Sequence, residues 1–453
     1  MPGAAFPFGR GDFPQRPCGY RRPSTASWLR EPIIRLYYNL STSGGAGNFL
    51  LRARIRGPVA ADRRVLLANS MYHLTNDAAV TVMAGQITVL KSHFSIGYFD
   101  VGLLTGVALL VTVVAQIVFG RMADRRDPSR FLPIGIALLG IASMAVTTAW
   151  SFLPFLALVA VSRIGAGFYH PVGIGWVGRA FAGADLDRAM GFQSAFGDVG
   201  VILGMGSGAL LGSAVGWQAP FILWGALNLV AVPLGIWLVR GRRSPPVEPP
   251  EPVDYRQVLH DLRYWMLPIA LGGAAFNIIS TFGPILMHDG YALPDAVSGV
   301  AIALWILAGS IAAFYFGRLS ARFGRYRSLL AAYLSLTLTG LVASSLGLLP
   351  SLAALWTLGS ALFITYPATF SFISEASRTR GQGAAFGVIF GFQLLGGTLG
   401  VLTAGTLAGL LNSPSAPFLL VALFCGAGFV YLLAIRSRVT GGESRDASGS
   451  PHA

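Results

Sequence analysis

One short stretch carries four polar side chains, Asn69, His73, Asn76 and Asp77, of which His73 and Asp77 can bind and release protons. Positions 69, 73 and 76 lie three or four apart and share one face of a helix. A carboxylate and an imidazole on neighbouring turns can each take and release a proton, and the imidazole titrates closest to neutral pH of all side chains. Farther along, Arg163, His170 and Asp198 interrupt runs that are otherwise apolar. A charge inside an apolar helix costs several kcal/mol unless it faces a polar interior and finds a partner. The chemistry implied is proton relay. Asp77 is the protonatable carboxylate of first choice, His73 and Asp198 stand second, and Arg163 tunes them or meets an anion. Its candidate partners are Asp77 and Asp198. Asn76, His170, Asn277 and Gln393 are the expected cavity lining. Each has a plainer reading: Arg163 as a structural ion pair, His73 as a hydrogen-bonded packing residue, and His170-Pro171 as an architectural kink.

The elements that position these residues follow from composition. Of 453 residues, 54% are hydrophobic and 11% charged, against about 25% charged in soluble domains. Runs such as Val101–Phe119 and Phe131–Trp150 are nearly uncharged and near the ~20 residues a helix needs to cross a bilayer. Lipid offers no partner for backbone groups, so the spans must be helical. We expect an all-α polytopic membrane protein of about twelve helices, near 65–90, 101–119, 131–149, 152–178, 189–213, 219–239, 264–287, 297–316, 328–348, 352–374, 383–411 and 416–435. They divide into two six-helix halves, 64–239 and 264–436. A charged, Pro-rich linker (240–263) joins them, a basic Pro/Gly-rich tail (1–63) precedes them, and a short tail (437–453) follows.

The net charge of +14 does not point to nucleic acid, because arginines gather in alternate loops. Arg121, Arg125, Arg126, Arg130, Arg179, Arg188, Arg240, Arg318, Arg322 and Arg378 fall on one side, while the other side receives Lys91, the one lysine of the chain. The excess of positive charge marks the cytoplasmic side, so both termini are expected there, in a cell membrane. Cys18 and Cys425 are too far apart in kind and place to suggest a disulfide framework or a metal site.

The halves echo each other at a spacing near 196 residues. Gly120-Arg-Met-Ala-Asp124-Arg125 after the second span resembles Gly317-Arg-Leu-Ser-Ala-Arg322 after the eighth, and His170-Pro171 resembles Tyr366-Pro367. Gly200, Gly204, Gly208 and Gly212 are matched by Gly396, Gly400, Ala404 and Ala408, stripes that let a neighbouring helix approach closely. Parallel repeats place a substrate site between halves near the midplane. The loop, with its turn glycine, acid and bases, is read as a gating contact at helix ends; Ala321 replaces the acid in the second copy. Gly173-Ile-Gly175-Trp-Val-Gly178 fits a dinucleotide pattern but lacks the preceding strand. Without an ATP-binding loop or a catalytic constellation, the chain is expected to be no enzyme, to need no cofactor or metal, and to use an ion gradient.

The Gly120 loop and Arg163-x-Gly165-x-Gly167 resemble signatures of the major facilitator superfamily. His73-Leu-Thr-Asn76-Asp77, Leu132-Pro-Ile-Gly135, Gly165-Ala-Gly-Phe-Tyr-His170-Pro171, Gln193-Ser-Ala-Phe196 and Glu375 are similar to its fosmidomycin-resistance branch. The resemblance implies proton-driven efflux of small organic molecules, including antibiotic-like or phosphonate anions, and we expect antiport by a monomer. The alternative is uptake of a small organic anion or sugar. Asp198 departs from the branch, which usually has an uncharged residue there, and so puts an anionic substrate in question.

Overall fold

The computed structural model describes residues 59–123, 126–181, 183–241, 254–376 and 382–440. Most of the tail 1–63, linker residues 242–253, residues 441–453, and Asp124 and Arg125 of the gating loop lie outside the described residues. In chain order the helices are α1 (Val59–Gly85), α2 (Ile87–His93), α3 (Tyr98–Ala123), α4 (Pro128–Val146), α5 (Phe152–Ala166), α6 (Tyr169–Ala180), α7 (Gly183–Ala214) and α8 (Gln218–Leu238). The second half has α9 (Tyr255–Ile285) with a π turn (Leu286–Gly290), α10 (Asp295–Phe314), α11 (Phe316–Phe323), α12 (Arg325–Ser345), α13 (Leu348–Trp356), a 3₁₀ turn (Gly359–Ala361), α14 (Leu362–Ala376), α15 (Gln382–Leu411) and α16 (Ala416–Thr440).

Among the described residues eleven stretches are long and apolar enough to cross a membrane, and they match every expected span but the first. At 27 residues α1 is long enough, about 40 Å at 1.5 Å per residue. Its stripe of Asn69, His73, Asn76 and Asp77 is what lowers its apolar character. The protein is a multi-pass membrane protein.

The small-residue stripes do what their spacing suggests. Gly200, Gly204 and Gly208 of α7 lie against the carbonyls of Leu74, Ala78 and Val82 in α1, so closely that a Cβ would overlap them, and Gly212 lies against Gln86. In the second half Gly396 and Gly400 of α15 meet Ala270 and Ala274 of α9 in the same way. The 196-residue repeat therefore holds contact by contact: 74 with 200 becomes 270 with 396, and 78 with 204 becomes 274 with 400.

The fourth span is interrupted between α5 and α6 at Gly167 and Phe168. Pro171 has no N–H to offer the carbonyl four residues back, that of Gly167, so the ladder breaks there rather than at the proline itself. The sequence echo in the tenth span behaves differently. Pro367 sits inside α14, and the interruption comes earlier, at the 3₁₀ turn.

The halves meet tightly toward the face opposite the arginine-rich loops. Gly102 of α3 lies against the Val401 carbonyl and Gly405 of α15, and Gly299 of α10 lies against Gly85 and Ala209. Thr281 Oγ1 of α9 donates across the seam to Thr105 Oγ1 of α3 at 3.5 Å.

Candidate functional site

The polar stripe of α1 is buried, with Asn69, His73 and Asn76 at 0%, 6% and 1% exposure. It faces α6 and α7. The His73 ring stacks on Tyr169, 4.3 Å between centroids at 19°. His73 Nδ1 lies 2.7 Å from the backbone carbonyl of Gln193, and Nε2 lies 3.1 Å from Asp77 Oδ2. A carbonyl can only accept, so Nδ1 carries a hydrogen. The Nε2–Oδ2 contact then needs a second hydrogen, on either partner. A neutral imidazole beside an ionised carboxylate is one proton short of this arrangement. The pair is accordingly built around one exchangeable proton, able to cross 3.1 Å with little movement of heavy atoms.

Asp77 Oδ1 accepts from Asn76 Nδ2 at 2.9 Å and lies 3.9 Å from His170 Nε2. The His170 ring stands edge-on to His73 at 5.6 Å, and its side chain is 42% exposed against 15% for Asp77. His170 thus stands beside the half-buried carboxylate and is the more exposed of the two. The break before α6 presents two consecutive rings, Tyr169 and His170, to the same histidine. Tyr169 Oη donates to Gln193 Oε1 at 2.8 Å and accepts from Asn69 Nδ2 at 3.0 Å. Tyr169 and Gln193 position His73, a role the sequence reading did not give them; their place within the family-like segments was the available signal. His73, Asp77 and His170 offer ligand atoms all within 4.8 Å of one another, a span that suits a cation. Oδ1 already takes the Asn76 amide and the Nε2–Oδ2 contact needs a hydrogen, so these atoms are committed to hydrogen bonding.

Asp198 follows Gly197, which packs against His73. The carboxylate is exposed, lies beside Ser310 of α10 in the other half, and feels the charges of Asp77 and His73. It joins this cluster. Arg163 does not. Buried at 5% exposure, it donates from Nη2 to the Val80 carbonyl at 2.8 Å, and its Nε has no partner. It pairs with neither Asp77 nor Asp198, because α5 delivers the guanidinium nearly one turn beyond Asp77 along α1.

The other expected residues are scattered. Asn277 donates to the Gly273 carbonyl of its own helix at 2.9 Å and packs on Gly397 of α15. Gln393 and Tyr366 face each other across the second half, and neither Gln393 Oε1 nor Tyr366 Oη makes a well-formed hydrogen bond among the described residues. Of the loop residues, Gly120 sits next to Pro171, where a Cβ would lie 3.5 Å from that proline's Cβ, and Gly317 borders open space. The Arg322 guanidinium lies 5.2 Å from the Phe323 ring centroid.

Known proteins share this architecture. The chain is 27% identical over 375 residues to the 3-(3-hydroxy-phenyl)propionate transporter of Escherichia coli, covering 76% of this chain and 88% of the relative. The match to the Escherichia coli fosmidomycin resistance protein is 28% over 107 residues, 24% of this chain and 26% of that one. An uncharacterised transporter of the same type from Mycobacterium tuberculosis is 25% identical over 159 residues, 35% of this chain and 28% of its own length, so the chain spans less than a third of that relative. A solved nucleoside transporter superposes with TM-scores of 0.65–0.66 at 12–13% identity, over 83% of this chain and 98–99% of its own, which shows a common fold. The family model of the Major Facilitator Superfamily matches residues 66–401 and, overlapping them, 299–451. With its repeated helical halves and a polar cluster buried in an apolar bundle, the chain belongs to the Major Facilitator Superfamily of membrane transporters.

Proposed function

We propose that this protein exports a small organic compound in exchange for protons, by alternating access, from a cell membrane with both termini in the cytoplasm. The observation that carries the reading is the His73–Asp77 pair, with its one exchangeable proton and the more exposed His170 beside it. An intramembrane carboxylate with three polar neighbours has little structural excuse, since an apolar helix would be simpler to insert. Asp198, exposed beside the other half, lets occupancy by proton or substrate be felt where the halves meet. Substrate and proton draw on the same groups, and that competition favours exchange over cotransport. The sequence offers no ATP-binding loop, so the gradient supplies the work.

A second reading, uptake with protons, is favoured by the similarity to the propionate transporter over 88% of that protein's length. An anionic substrate would then use Arg163, the buried cation without a carboxylate partner.

The test is lumenal pH in energised inverted vesicles while 3-(3-hydroxyphenyl)propionate, fosmidomycin and a wider panel of antibiotics and organic ions are added. Proton release on adding one compound, lost in Asp77→Asn, is the expected result. Release that persists undiminished in Asp77→Asn removes this carboxylate from the mechanism. Substrate-dependent proton entry in the opposite vesicle orientation replaces antiport by the uptake reading.

A further inference from the structure

At the face opposite the arginine-rich loops, a small charged cluster joins the halves. Lys91 ends α2 in the first half, and Asp289 lies in the π turn that closes α9 in the second. Lys91 Nζ is 2.9 Å from Asp289 Oδ2. Tyr98, the first residue of α3, reaches the same carboxylate with its hydroxyl, while its ring lies 5.0 Å from the lysine ammonium. On the other side, His288 Nδ1 is 2.7 Å from Asp289 Oδ1, and its Nε2 is 3.5 Å from Asp295 Oδ1 at the start of α10. Two first-half residues thus hold a carboxylate that two second-half residues steady from behind.

We propose that this cluster is the lock that keeps the opposite face shut, so that breaking the Lys91–Asp289 pair moves the protein toward the state open on that face. The inference goes beyond the function proposed above and needs only alternating access, not proton coupling or a particular substrate.

Three observations carry it. The pair crosses between halves, and it sits on the face where Gly102 and Gly299 bring the halves into contact. Rocking of one half against the other must separate these groups. The chain also spends its one lysine here, among 33 basic residues. A lysine ammonium is a compact, strongly hydrated charge on a flexible stem, suited to a contact remade in every cycle. Finally, Asp289 stands on a π turn, a local widening often found at functional positions in helices. The side chains are 23% and 15% exposed, so the pair is partly shielded from salt yet close enough to water for both charges to be hydrated on opening.

An exposed pair shifts such an equilibrium up to about five-fold, and partial burial with a second partner puts this one toward the upper end. The test is the distance distribution between spin labels at Ser92 and Ser345, both exposed at this face, with Cys18 and Cys425 replaced by alanine. Lys91→Asp and Asp289→Asn, each shown to be monodisperse, should raise the long-distance population about three- to five-fold. The double exchange Lys91→Asp with Asp289→Lys should bring it back. Distributions unchanged by both single substitutions, a wild type already open on this face, or a charge exchange that leaves the shift in place would each overturn the lock. Asp289→Asn preserves shape and reads the charge alone should Lys91→Asp fail to fold.

Discussion

Replacing Gly197 by alanine adds one methyl group at the point where α7 crosses His73. That Cβ would overlap imidazole Cε1 and lie 2.5 Å from Nε2 and 2.9 Å from Nδ1. Ordinary contact begins at 3.4 Å, so the ring must retreat by roughly 0.9 Å, the difference between the two. Tyr169 stacks on it at 4.3 Å and leaves little room. A retreat of that size stretches the 2.7 Å contact to the Gln193 carbonyl and the 3.1 Å contact to Asp77 beyond hydrogen-bonding range. Losing a bond to a charged group costs about 1.5–3 kcal/mol and a neutral one about 0.5–1.5 kcal/mol. The helices can relieve part of the strain by moving apart, at an overpacking cost of about 1–3 kcal/mol. The protein should therefore fold with a lowered melting temperature, while gradient-driven transport falls about 10- to 100-fold, as 1.4 kcal/mol per tenfold requires. The assay is gradient-driven flux in proteoliposomes across a pH series, beside thermal unfolding in detergent. Gly191→Ala, two turns away where nothing lies within 4 Å, is the control and should match wild type. A Gly197→Ala protein with wild-type flux and an unchanged pH profile would refute the argument that His73 must hold both contacts at once.

Two further substitutions probe neighbouring parts of the same frame. Arg163→Gln removes a buried cation that has no carboxylate to strand, so unfolding temperature should change by only a few degrees while substrate affinity measured by transport drops. A large loss of stability would instead make Arg163 structural. Gly204→Val drives a branched side chain into the Ala78 carbonyl and Thr81 Oγ1. It should cost at least the ~1–3 kcal/mol of an overpacked core, read as a lowered melting temperature or loss of folded protein, whereas Gly206→Val, which borders open space, should be tolerated.

The spans and the stripes were legible because each is a short-range signal. Twenty apolar residues, or a glycine every fourth position, are visible without knowing any neighbour. The Pro171 kink was legible in kind and displaced by one turn, since the missing bond belongs to Gly167. Contacts between distant helices were not legible. Nothing in sequence spacing tells that His73 stacks on Tyr169 rather than lining open space, that Asn76 serves Asp77, or that Arg163 finds a carbonyl in place of an acid. Those outcomes depend on how far each helix slides along the next, and a shift of one residue rotates a side chain by about 100°. The Lys91–Asp289 pair escaped for the same reason, being nearly two hundred residues apart and tied only through the docking of whole halves.

The repeat also reveals a division of labour. Carried forward 196 residues, His73, Asp77 and Arg163 fall on Ile269, Gly273 and Gly359, so the second half keeps the scaffold of the first without its ionisable machinery. On the function proposed above, the coupling groups sit in one half and the other answers them with scaffold alone. The ionisable cluster lies wholly on α1, α6 and α7, while their counterparts α9, α14 and α15 hold the same close helix contacts without it. For the engineer the same asymmetry marks where to cut: exchanging the second half for that of a relative would leave the His73–Asp77 pair and its neighbours in place.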